Sequence, residues 1–112
     1  MLTNKTIKEH IERLIRENEK LKGNYISDNG LTLKYNLTIN SIKLFIRYVK
    51  VIGLSIDIIL EENDLSIINK EVLLNYRSRI INENNNVKIK VNIPSRELTL
   101  DNITNILSNI II

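Results

Sequence analysis

Seven basic residues, Lys34, Lys43, Arg47, Arg77, Arg79, Lys88 and Lys90, lie in segments where apolar and polar positions alternate. Successive side chains of a strand point to opposite faces, so this spacing gathers the cations on the side turned away from the apolar residues. Phe45 shares the parity of Lys43 and Arg47. Cations that neutralise phosphates around a ring on which a base can stack are one way a sheet holds single-stranded RNA or DNA. The same layout would attract an acidic protein partner. It also meets the plain requirement that a solvated strand face be polar and resist edge pairing. Of the strand acids, only Asp57 has a facing that alternation leaves open.

The inventory for catalysis is thin. His10 is the only histidine, and it sits at the flank of an apolar helical stripe between Glu9 and Ile11, the position of a boundary residue rather than a general base. Asp57, Glu61, Glu62 and Asp64 are the one acidic group that could be drawn as a metal site, but the last three read as a solvated turn at a strand end. Beyond Asp57 no acid precedes a lysine by two residues, the spacing of one nuclease class, and none of the seven serines sits in a nucleophile elbow. With no Cys there is no thiolate ligand, nucleophile or disulfide. The expectation is a non-enzymatic protein without metal or cofactor.

The elements that must position the basic residues follow from periodicity. Ile7, Ile11, Leu14, Ile15 and Leu21 share one face of a helix over 4–22, with Thr3 or Thr6 as its cap and Gly23 as its stop. Leu31 to Ile39 alternates as a strand, and the parity then flips. A two-residue turn at Asn40 and Ser41 accounts for the flip by pairing Ile39 with Ile42, Leu37 with Leu44, Tyr35 with Ile46 and Leu33 with Tyr48. Lys43, Arg47 and Lys50 also fall at helical spacing, so a helix over 42–52 capped by Ser41 competes; the β-branched and aromatic content favours strand. Leu54 to Leu60 is a third strand. Segment 65–81 reads either as a strand through Val72, Leu74, Tyr76 and Ile80 or as a helix. Val87 to Ile93 alternates cleanly to Pro94, and a hairpin at 83–86 pairs Ile80 with Ile89, Tyr76 with Ile93 and brings Arg79 beside Lys90. Leu100, Ile103, Ile106, Leu107 and Ile110 return to helical spacing behind Thr99.

The order predicts one α+β domain over 1–112: a two-layer fold with an antiparallel sheet of about five strands and an N-terminal and a C-terminal helix on one face. A double-stranded RNA-binding domain has a similar order, but its second helix opens on lysines that bind phosphate. Here that helix opens Thr99, Leu100, Asp101, Asn102, and the acid excludes the match. The terminal Ile110, Ile111 and Ile112 either close the core or supply an interface, including one to a second copy.

The chain has 22 Ile and 17 Asn but no Ala, the mark of an A+T-rich gene such as those of viruses, phages, plasmids and low-GC bacteria. No signal-peptide h-region or membrane-length apolar run is present, so a cytoplasmic location is expected, in the host cytoplasm for a viral protein. The leading expectation is a small binding protein that docks onto a host or viral protein complex, for example as an inhibitor of host defence. Nonspecific binding of RNA or single-stranded DNA on the basic face is the alternative, and a homo-oligomeric virion or assembly component a third. The net charge of +3 argues against a DNA mimic, which would be acidic.

Overall fold

Thr3 starts the first helix: its side chain accepts a hydrogen bond from the Thr6 amide, and α1 runs Asn4–Glu17 with Ile7, Ile11 and Leu14 buried. Thr6 does not cap it. The computed structural model describes residues 2 to 112. The helix ends five residues earlier than its apolar stripe predicts. Asn18 caps its C-terminus and accepts from the Lys20 amide at 3.1 Å, and the chain reverses at once into β1 (Leu21–Asp28). Leu21 therefore lies opposite Ile39 on a strand, not on the helix stripe. Gly23 is no helix stop either. It lies opposite Leu37, where a Cβ would come 2.1 Å from Leu37 Cδ2 and 2.9 Å from the Asn36 carbonyl oxygen.

β2 (Thr32–Ile39) and β3 (Ile42–Val49) form the expected hairpin in the expected register. Asn40 and Ser41 both have positive φ, 50° and 72°, which is the type I′ geometry whose twist suits paired strands. The competing helix over 42–52 is thereby overturned. β4 (Gly53–Glu61) follows. Segment 65–81 is neither one strand nor one helix: a 3-10 turn (Glu62–Ile67), the short α2 (Lys70–Leu74) and β5 (Arg77–Glu83) divide it. Tyr76 precedes β5 instead of facing Ile93, and its hydroxyl accepts from Asn105 Nδ2 at 3.0 Å. β6 (Asn86–Pro94) pairs with β5 as expected from Arg77 to Glu83, Ile80 opposite Ile89. α3 (Leu100–Asn109) begins at a reciprocal cap between Thr99 and Asn102.

The six strands make one antiparallel sheet in the order β1-β2-β3-β4-β6-β5, with α1 and α3 on one of its faces. The fold is the two-layer α+β class, with six strands rather than five. Between the layers lie the inward residues of β2, β3, β4 and β6 together with Ile7, Ile11, Ile103, Ile106 and Leu107. Each such large aliphatic side chain contributes roughly 1.5–3 kcal/mol on burial. Two tyrosines use the same face and keep their hydroxyls bonded, Tyr35 to Glu12 Oε1 at 3.2 Å and Tyr48 to the Leu2 carbonyl. Burial, then the Glu12 carboxylate, pushes the Tyr35 phenol well above its ordinary range.

The C-terminal isoleucines separate. Ile110 is fully enclosed and its carbonyl accepts from the Asn69 amide at 2.8 Å, Ile111 bridges to Ile68, and Ile112 is exposed. Among the described residues no helix is long and apolar enough to cross a membrane.

Candidate binding face

The face of the sheet away from the helices is read off the strand registers as rows of side chains. One row runs Lys22, Thr38, Lys43, Ile59, Lys88, Ile81 from β1 to β5. The next, two residues along each strand, runs Asn24, Asn36, Phe45, Asp57, Lys90, Arg79. The third runs Ser27, Lys34, Arg47, Ser55, Asn92, Arg77. All seven basic residues singled out by alternation, and Phe45, thus share this face.

Lys22, which the helical spacing of residues 4–22 puts at a helix end, is an eighth cation there. β1 buries only Leu21, and that residue also continues the apolar stripe of α1, so no local signal separates the strand from the helix. Eight of the chain's 16 bases and one of its 13 acids stand in the three rows, leaving eight bases and 12 acids for the rest of the molecule. The three rows are therefore strongly basic and the remainder of the molecule is net acidic. Glu61 and Glu83 flank Asn86 on the following row and bound the face at that end.

Asp57 settles onto the open face between Phe45 and Lys90. Lys90 Nζ lies 3.9 Å from Asp57 Oδ1, an ion-pair distance too long for a hydrogen bond, and that oxygen is enclosed with no hydrogen-bond partner among the described residues. The other cations of the rows have no ion pair among the described residues. Their charge is uncompensated at close range. Phe45 is 40% exposed and borders two depressions of the face. One is bordered by Lys22, Asn24 and Lys43, the other by Lys34, Arg47, Lys90 and Asp57. Each therefore combines an aromatic edge with cations.

Other chemistry-bearing residues lie elsewhere. His10 is buried between α1 and α3, in the helical layer opposite the face. Asp64 Oδ2 accepts from the Glu61 amide at 3.4 Å, so these acids cap the 3-10 turn. Asp57 lies in mid-strand and does not join them. Compared with protein-family models, curated proteins and solved structures, the chain matches none.

Proposed function

We propose that the protein is a binding module that holds single-stranded nucleic acid on its open sheet face and performs no chemistry of its own. The observation that carries this reading is the segregation of eight cations and one acid into three rows centred on the exposed Phe45. The outer rows stand two residues to either side of the Phe45 row, about 7 Å along the strands. A strand laid over the ring would set one base on Phe45 and its flanking phosphates against Lys43 and Arg47. Flat stacking needs no particular base, so sequence preference is weak and salt dependence strong. The A+T-rich coding that suggests a viral or mobile-element source fits a small module of this kind, with host or viral nucleic acid as its partner.

Anisotropy of labelled single-stranded RNA and DNA oligonucleotides, titrated at rising salt, tests it. Affinity is expected to fall steeply with salt and to drop about tenfold or more in Arg47→Glu and Arg79→Glu. Absent binding, or binding indifferent to salt and to both substitutions, would overturn the reading in favour of a protein partner.

A further inference from the structure

The two edges of the sheet are built differently. β1 is interrupted by a register shift at Ile26, and Lys8 of α1 places its Nζ 4.2 Å from the centre of the Tyr25 ring. A bulge is a device that protects an edge. β5 has none. Its seven residues pair with β6 in unbroken register, it contains no proline, and Ile80 on its helix-side face is 58% exposed. The two-residue turn at Asn84 and Asn85 closes on the hydrogen-bonded pair Glu83 and Asn86. Alternation then commits the backbone groups of Arg77, Arg79, Ile81 and Glu83 to β6 and turns those of Ser78, Ile80 and Asn82 outward.

We propose that this edge pairs antiparallel with β5 of a second copy about a two-fold axis through Ile80. In that register Ile80 faces Ile80 of the second copy, Ser78 faces Asn82, and Arg79 faces Ile81. Arg77 meets Glu83 twice. All three outward backbone positions find partners, six hydrogen bonds by symmetry. Centring on Ile81 instead leaves Ser78 and Arg77 opposite the turn, and centring on Arg79 sets like charges against each other. The charge order of β5, basic at one end and acidic at the other, is what makes the strand complementary to itself. The product is a continuous twelve-stranded sheet in which the open faces of both copies are joined side by side. Strand pairing alone buries less than a standard interface, so the dimer is concentration-dependent.

Sedimentation of the full chain without nucleic acid tests this independently of the binding reading. The mass is expected to rise from the 13.0 kDa monomer toward twice that value with concentration. Ile80→Lys, Arg77→Glu and Glu83→Arg should each weaken dimerisation about tenfold, since in a dimer of identical copies each sets like charges against each other across the two-fold. The double reversal Arg77→Glu/Glu83→Arg should restore it. Melting temperatures of the exposed-site variants confirm that they fold. A monomer at every concentration up to the solubility limit overturns the proposal, even if the edge captures a strand of another protein. So does a dimer that none of the single substitutions weakens, or a double reversal that fails to rescue.

Discussion

His10 Nε2 and Thr104 Oγ1 lie 2.7 Å apart, joining α1 to α3 within the helical layer. On the other side of the ring, Arg13 Nη2 is 3.0 Å from Nδ1. A guanidinium can only donate, so Nδ1 accepts and Nε2 carries the proton that it gives to Thr104. That is the neutral imidazole. Burial, and secondly the Arg13 charge, hold its pKa below the usual 6.5. The unfolded chain therefore takes up a proton first as pH falls, and folding stability contributed by His10, complete above pH 6.5, declines below it toward the lower folded value. Urea denaturation between pH 7.5 and 5 should show this loss (a window set about the histidine's unfolded pKa of roughly 6.5). His10→Gln, which keeps a donor toward Thr104 but cannot titrate, should flatten the dependence. An unchanged slope in the variant would place the effect on other groups.

Opposite effects are expected from two neighbours on the open face. Phe45→Ala removes the stacking surface and should cost about 1–3 kcal/mol of oligonucleotide affinity with little change in fold stability, because the ring is already 40% exposed. Asp57→Asn removes the one acid from the three rows and frees Lys90 from its ion pair. It should raise affinity several-fold and steepen the salt dependence by about one phosphate contact. Anisotropy titration at three salt concentrations reads both.

The C-terminal isoleucines should differ sharply. Ile110→Ala leaves a hole beside a side chain with no exposure and is expected to cost about 2–5 kcal/mol in denaturant unfolding. Removing Ile112, which is 78% exposed and contributes one backbone hydrogen bond to the Ile67 carbonyl, should cost about 1 kcal/mol or less.

Gly53 opens β4 with φ +139°, and a Cβ there would stand 2.1 Å from the Ile93 carbonyl oxygen. Gly53→Ala combines a backbone strain of about 1–3 kcal/mol with a collision against the β4–β6 pairing. A melting-temperature drop larger than that of Ile112 removal is expected. An alanine variant as stable as the native chain would show that this strand end relaxes freely.

Much of the sheet was legible in the residues. The parity flip between Ile39 and Ile42 determined the β2–β3 turn and its register, and Val87 to Ile93 fixed β6 and its pairing with β5. A slip of one residue in either strand would turn every apolar side chain to solvent, so alternation by itself specifies facing. That is why alternation alone places the basic residues and Phe45 on one face.

Edges and short connections were not legible in the same way. β1 buries only Leu21 of its eight residues, so it carries no alternation of burial to announce it, and Leu21 instead extended the stripe of α1. Segment 65–81 was ambiguous because Ile68, Val72 and Leu73 are apolar for a tertiary reason, packing where Asn69 and Ile111 meet the end of α3. The sequence by itself determined which residues face which side of the central strands, since the side-chain period of a strand is local. Only the tertiary structure decided that the sheet has a sixth strand bringing Lys22 onto the basic face, that Asp57 stands beside Lys90, and that β5 ends the sheet with its ladder unbroken. Neighbours across strands are set by chain reversal and packing, which no local period encodes.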